Sequence, residues 1–310
     1  MATLEHPVPF TPQTMSGRLV RFISRTPVHI SLIAIAVIWL VPTVGLAVTS
    51  FRPSGEISSS GWWHALGQWN WTVKNYSSVL HTAGMGHAFL NSVYITLPAT
   101  LLPLTIGALA AFGFAWIRFP FRDTIFLAIV ALMVVPIQTS LVPLLKLFRD
   151  WNIPIGIPGL GVYHWQHLNN SFWGIWLAHT AFGLPLAIFL LRNFFITLPK
   201  DLIEAARMDG ASNLAIFRRI VVPLSVPALA SFAIFQFLWV WNDLLMALIF
   251  ISDPTKRPMT VQVTYLLGTY GQQYNLLSAA AFLLMFLPLI VFFSLQRYFV
   301  QGLLAGSVKS

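Results

Sequence analysis

The sequence predicts an all-α membrane protein with six transmembrane helices and both termini on the cytoplasmic side. Three observations carry that prediction: an excess of apolar residues, a series of charge-free intervals, and an uneven distribution of cations between them. Of 310 residues, 57% are hydrophobic and only 9% charged, with a mean hydropathy of +0.74. A soluble domain carries about 25% charged residues, so this chain lacks the surface for water and suits lipid instead. A secreted domain, a cytosolic enzyme and a disordered scaffold are thereby excluded. Cysteine is absent, which excludes disulfides and thiolate chemistry.

The spans follow from the gaps between charges. No Asp, Glu, Lys or Arg occurs in 26–51, 75–117, 124–145, 151–191, 220–242 or 258–296. Each interval can hold the roughly 20 apolar residues that cross a bilayer as helix. Trimming polar and Gly/Pro-rich ends places the helices at 29–50, 88–116, 125–145, 172–191, 220–251 and 277–298. The period-two alternation of a membrane barrel is absent. The first apolar stretch exceeds a signal-peptide core and is followed by no clear A-x-A site, so it reads as a retained anchor. On the second, Gly107, Ala111 and Ala115 recur every four residues, a pattern that favours close helix packing.

Cations orient the bundle. Arg18, Arg21, Arg25, Arg118, Arg122, Arg192, Lys200, Arg207, Arg218, Arg219, Arg297 and Lys309 fall on one side, and Arg52, Lys74, Lys146, Arg149, Lys256 and Arg257 on the other. The richer side is cytoplasmic by the positive-inside rule. The net charge of +9 comes from these scattered cations. No dense basic patch exists, so no nucleic-acid partner is expected. The outer loop after the first span holds Trp62, Trp63, Trp69 and Trp71, suited to an interfacial aromatic belt or, alternatively, to a sugar-stacking or docking surface. His164 and His167 form H-x-x-H without further ligands in reach and are read as solvated rather than metal-bound. No nucleophile–base pair or metal set stands out, so no catalysis is expected.

Between the fourth and fifth spans lies Leu198-Pro-Lys-Asp-Leu-Ile-Glu-Ala-Ala-Arg-Met-Asp-Gly-Ala-Ser-Asn213. It reads as a short helix outside the membrane, with Asp201 as N-cap and Glu204 three residues on. Ala205 and Ala206 permit close approach of a partner, and Gly210 supplies the turn that ends the helix. Ser212 caps a second helix through Arg218 and Arg219, and Pro223 and Pro227 kink the entry of the fifth span. A capped, Ala-faced helix between two spans is built to dock into a cleft.

Glu204-Ala205-Ala206, Gly210 and Ile220-Val221-Val222-Pro223 resemble the EAA motif of ABC-importer permease subunits. That motif is EAA, three residues, Gly, nine residues, then I-x-L-P; Val222 at the Leu position is the single departure. Asn91-Ser92, Ala110-Ala111-Phe112-Gly113-Phe114-Ala115, Met133-Val134-Val135-Pro136-Ile137-Gln138 and Trp241-Asn242-Asp243 are similar to the same family. The tail Gln296-Arg297-Tyr298-Phe299-Val300-Gln301-Gly302 with Ala305-Gly306-Ser307-Val308-Lys309 is similar to its carbohydrate-importer, MalG-like branch. The likeness covers about 88–310, and departs in a longer stretch at 153–170 and in Ser310 where the family usually ends in Gly.

The resemblance implies a type I ABC importer permease fold. Residues 1–85 would form the cytoplasmic N-terminus, first helix and Trp-rich outer loop. Residues 86–298 would form the type-1 transmembrane domain with a coupling loop at 198–213, and 299–310 a cytoplasmic tail. It further implies a second homologous permease, two ATPase subunits and an extracellular sugar-binding protein as partners, with a sugar as substrate. This chain contains no G-x-x-x-x-G-K-[ST]. ATP and Mg²⁺ would therefore belong to the ATPase, and this chain would hold no cofactor. Glu204, Ala205, Ala206, Asp209, Gly210 and Pro223 would couple to the ATPase, and Gly302, Gly306 and Lys309 would reach its dimer interface.

Asp243, a carboxylate within a predicted span, is a functional candidate by default. Gln236, Trp239, Asn242 and Met246 share a helix face with it, a substrate-pathway surface in one reading. In the other, Asp243 packs against a neighbouring helix or backbone groups. A third possibility makes the chain an ion- or proton-coupled secondary transporter that titrates Asp243.

Overall fold

The computed structural model describes residues 15–67, 70–81, 83–150, 152–157, 161–166, 168–270 and 273–305. Trp69, His167, Gly306 and Lys309 lie outside the described residues. The first helix, α1 (Met15–Ser50), contains the expected apolar stretch. Most of its apolar side chains from Val28 to Leu46 are exposed, since it touches chiefly one neighbouring helix and the turn at 62–66. A Cβ added at Gly45 would lie 2.9 Å from Trp62 Nε1, so this tryptophan packs onto α1, while Trp63 and Trp71 are exposed.

After a short helix, α2 (Lys74–His81), comes a helix of 32 residues, α3 (Met85–Trp116). It is apolar on all sides and half-buried, as a helix at the heart of a membrane bundle must be. Its main partner is α6 (Phe172–Phe195). There the small-residue pattern has a direct consequence: a Cβ at Gly107 would sit 2.5 Å from that of Ala187. The backbones approach because Gly107 has no side chain. Along α3, three apolar clusters succeed one another, around Met85 and Ala88, then Ile95 and Ala99, then Ala108, Ala111 and Phe112.

Two expected spans are broken. The segment read as 125–145 is α4 (Arg122–Leu132) and α5 (Ile137–Arg149), which meet at 99°. Pro136 disfavours helical geometry at the preceding residue, so the chain turns through Met133–Val135 instead of continuing. The segment read as 220–251 is α8 (Asn213–Leu224), α9 (Val226–Trp241) and α10 (Leu245–Phe250). Here α8 and α9 meet at 78°. Pro227 has no N–H, and its ring crowds the carbonyl four residues back, so the chain steps out of helix at Ser225. A π-helical turn at Phe217–Val221 lies within α8, just ahead of Pro223.

The all-α expectation also meets one exception. Asn152–Ile157 (β1) and Gly161–Gln166 (β2) form an antiparallel hairpin, with Asn152 opposite Gln166 and Ile157 opposite Gly161. It occupies the longer 153–170 stretch, where Ile153, Ile155 and Ile157 recur at every second position and Val162, Tyr163 and Trp165 are strand formers. The bundle is completed by α7 (Lys200–Met208), α11 (Met259–Tyr270) and α12 (Tyr274–Ala305), with α12 packed against α1 and α9. By length and apolarity, four helices among the described residues can cross a membrane singly, or up to six spans result if each bent pair is one.

Candidate functional site

The 198–213 loop forms the short helix expected of it, with a different start. Pro199 occupies the N-cap with φ −58°, and no side chain caps the helix; Asp201 instead lies in the first turn of α7. The helix starts at Lys200, directly after Pro199 and two residues earlier than the Asp-x-x-Glu spacing suggested. Asp201 there favours the helix through its charge near the N-terminal dipole end, not through a capping bond. The other end is as expected. Gly210 has φ +79°. Around it Ala211 N donates to Ala206 O at 2.9 Å and Gly210 N to Arg207 O at 3.0 Å, the paired bonds of a Schellman end. Ser212 Oγ then accepts from Ala215 N at 3.3 Å and starts α8.

Two residues outside the motif hold α7 in place. Ile203 is 1% exposed in the cluster formed by Phe112, Leu191, Phe195 and Ile216. Arg207 Nη2 donates to Trp116 O at 2.7 Å, satisfying a carbonyl at the end of α3. Ala206 packs towards the same cluster. The opposite side is open: Leu202, Glu204, Ala205, Met208 and Asp209 are exposed, Met208 to 83%. The helix is thus fixed to the bundle along one face and presents acidic, small and apolar side chains on the other. Ile203 follows a second apolar residue, Leu202, so local sequence does not say which of the two is buried; the reach of Arg207 to Trp116, 91 positions away, had no local signal.

A cavity of about 540 Å³ lies where the α4–α5 elbow faces α6 and α9. Its walls include Met133, Ser140, Gly183, Phe235, Gln236 and Trp239, and no ionisable side chain. Gln236 is 2% exposed and donates through Nε2 to Ala99 O at 3.1 Å. Gly183 makes room for it, because a Cβ there would lie 2.8 Å from the amide. The Met133–Gln138 stretch singled out in the sequence thus bends to form one wall.

The five residues read onto one helix face are divided by the break after Trp241. Gln236 and Trp239 line the cavity. Asn242 is exposed and donates to Leu238 O at 2.8 Å, and Met246 is buried in the core. Asp243 Oδ2 accepts from Met246 N at 3.0 Å and Ala247 N at 3.3 Å, which starts α10. The same oxygen lies 3.8 Å from His179 Nε2, and the Asp243 carbonyl accepts from Thr260 Oγ1 at 2.9 Å. The structure therefore gives Asp243 a set of packing partners. Asn91 and Ser92 also have structural work: Asn91 Nδ2 donates to Thr255 O and Arg257 O, and Ser92 Oγ accepts from Met259 N.

Bent apolar helices around a largely apolar cavity, beside a loop helix fixed along one face, define a multi-pass membrane protein. Residues 103–304 match the family described as binding-protein-dependent transport system inner membrane component, and the chain belongs to it. It is 50% identical to the osmoprotective compounds uptake permease protein GgtD of Synechocystis sp., over 95% of this chain and 96% of that one. It is also 50% identical to the alpha-glucoside transport system permease protein AglG of Rhizobium meliloti, over 77% of this chain and 60% of that one. In fold it is similar to a crystal structure of a bacterial ABC transporter involved in import of the acidic polysaccharide alginate. That match has a TM-score of 0.70 at 21% identity and covers 94% of this chain and 100% of the other. The chain is the permease subunit of a binding-protein-dependent ABC importer.

Proposed function

We propose that this permease forms half of a sugar pathway and is driven through the 198–213 loop by a separate ATPase. In this reading the bundle has six spans, counting each bent pair as one, with both termini cytoplasmic. Residues 1–85 supply the anchor and outer loop, 86–298 the transmembrane domain, and 299–310 a tail directed at the ATPase. The partners are a second permease, two ATPase subunits that bind ATP and Mg²⁺, and an extracellular sugar-binding protein. No cofactor resides in this chain. The observation that carries the coupling role is the one-sided fixation of α7: Ile203 and Arg207 hold it to the bundle, while Glu204, Ala205, Met208 and Asp209 are exposed. Gly210 fixes where the helix ends, and Pro223 precedes the elbow into α9.

The cavity supports a neutral substrate. A polyanion needs cations on its path, and none lines these walls. Gln236 and Ser140 offer hydrogen bonds to hydroxyl groups, and Trp239 an aromatic face. The relatives' names support small osmoprotectants and alpha-glucosides as classes to screen. Asn242, Asp243 and Met246 contribute by shaping the end of the pathway rather than by lining this cavity. Met246 and Ala247 amides already bond Asp243 Oδ2, which supports a packing role for this residue over that of a proton carrier.

Mass spectrometry of what co-purifies from native membranes in mild detergent tests the assignment. A second permease and a P-loop ATPase are expected. Recovery of this chain alone, with Glu204 and Gly210 replaceable without loss of uptake, would refute it. Asp243→Asn is expected to leave uptake dependent on ATP; a variant that instead loses a proton dependence would favour the secondary carrier.

A further inference from the structure

The turn from α3 into α4 carries more charge and more exposed aromatic surface than a connection needs. Arg118, Phe119, Phe121, Arg122, Asp123 and Thr124 enclose a cavity of about 400 Å³ that opens outward. Arg118 is exposed and makes no ion pair among the described residues. Arg122 Nε lies 3.2 Å from Asp123 Oδ1, and Arg192 Nη2 from α6 lies 3.9 Å from the same oxygen. Arg192 is itself stacked over Phe126 at 4.1 Å, and its Nε is buried without a hydrogen-bond partner. Two guanidinium groups thus share one carboxylate, which is 75% exposed, and Arg118 adds a third cation to the turn.

Between these cations stand two phenylalanines turned to the outside. Phe121 is 76% exposed and Phe119 36%. Phe121 has φ +59°, a left-handed backbone that a bulky residue rarely adopts. Beyond the turn, Leu109 on α3 and Ile125 and Leu127 on α4 are exposed apolar residues on helices that run into the bilayer. A cavity bordered by such residues suits the level where hydrocarbon gives way to headgroups. Excess positive charge with aromatic rings on its membrane side matches one ligand chemistry: a phosphate diester attached to acyl chains. Guanidinium groups bind phosphate oxygens through two parallel charge-assisted bonds, and aromatic rings favour the interface.

We propose that the 118–124 turn is a binding site for an anionic phospholipid. Arg118 and Arg122 hold the headgroup phosphate, Phe119 and Phe121 lie beside the acyl chains, and Arg192 sets the field behind Asp123. The site needs only that α3 and α4 end at a bilayer surface, so it stands or falls separately from the transported substrate and from which leaflet is involved.

The test is lipid retention by the purified full-length chain in mild detergent, followed by native mass spectrometry. Phosphatidylglycerol and phosphatidylcholine of identical acyl chains are the probes, and glycerol 3-phosphate is the soluble competitor. Phosphatidylglycerol is expected to be retained in preference. Arg118→Gln with Arg122→Gln should lower its retention by about fivefold for each arginine removed, with phosphatidylcholine unchanged. Phe121→Ser should weaken both lipids. Should the double variant fail to insert, Arg118→Gln alone supplies the same measurement, since that side chain is exposed and unpaired. Undiminished phosphatidylglycerol retention by the arginine variants would overturn the proposal. So would displacement of the lipid by glycerol 3-phosphate at equal concentration, which would make the site one for free phosphate.

Discussion

Gly210→Val separates the geometry of the α7 helix end from every other property of the loop. A Cβ built at Gly210 meets nothing within 4 Å, so valine finds space there; what it lacks is an allowed backbone at φ +79°. Holding an L-residue in that left-handed conformation costs about 1–2 kcal/mol, and more for a β-branched one. If the chain relaxes instead, it gives up the bonds from Ala211 N to Ala206 O and from Gly210 N to Arg207 O. Those are worth about 1 kcal/mol each. Either route places a penalty of about 2 kcal/mol on the loop alone, too little to prevent insertion of a bundle this apolar. The assay is uptake of labelled substrate by membranes containing the partner subunits, normalised to the amount of this chain. Uptake by Gly210→Val should fall at least about fivefold, the factor for 1 kcal/mol. Gly210→Asn, which tolerates the left-handed region, should retain most of it. Normal uptake by the valine variant would refute the idea that the shape of this helix end transmits anything.

Three further outcomes are expected. Gly107→Ala drives a methyl group to 2.5 Å from Ala187 Cβ and should cost about 1–3 kcal/mol, lowering the melting temperature in detergent. Ala187→Gly in the same chain should restore it, and a single Gly107→Ala variant as stable as the parent would contradict the close α3–α6 approach. Ile203→Ala removes the buried anchor of α7 at a cost of about 2–5 kcal/mol, read as faster tryptic cleavage after Lys200 and Arg207. The Asp253 carboxyl is held below its ordinary value of 3.8 by hydrogen bonds from the Thr255 side chain and then its backbone, with Lys256 adding to the effect. A depressed value stabilises the 253–256 turn above pH 3.8 and the benefit is lost as pH falls through the folded value. Thr255→Val should raise the titration midpoint of the Asp253 carboxyl carbon seen by NMR; an unchanged midpoint would count against the hydroxyl's role.

Features that depend on local chemistry were open to reading in the sequence. Gly210, Ser212, Pro223 and Pro227 act through their own backbone or within three residues of it, so spacing alone disclosed a helix end, a cap and a kink. The small-residue repeat through Gly107 was similarly legible, because helical periodicity brings i and i+4 to one face. The two elbows were less so. A charge-free interval shows how much apolar chain is available, and says nothing of whether Pro136 or Ser225 interrupts it. The helix face assumed to run from Gln236 to Met246 failed for the same reason: it required an unbroken helix, and the helix stops at Trp241. Contacts such as Arg207 with Trp116, or Gln236 with Gly183 and Ala99, join positions far apart in the chain and leave no periodic trace. The hairpin at 152–166 leaves no trace in length or apolarity, the two properties that mark a span.

The meeting of α8 and α9 at 78° is also a matter of mechanics. Two rigid rods joined near a right angle act as a bell crank: a push along one becomes a sideways swing of the other. Here the pivot is Ser225, flanked by Pro223 and Pro227, which withhold amide hydrogen bonds from the joint while leaving both rods intact. At 1.5 Å per residue the arms are about 18 Å for α8 and about 24 Å for α9. A given rotation at the pivot thus moves the far end of α9 about one third farther than the far end of α8. Gln236 and Trp239 lie about 17 and 21 Å along the longer arm, so a rotation at the pivot would carry the cavity wall about as far as it carries the loop end.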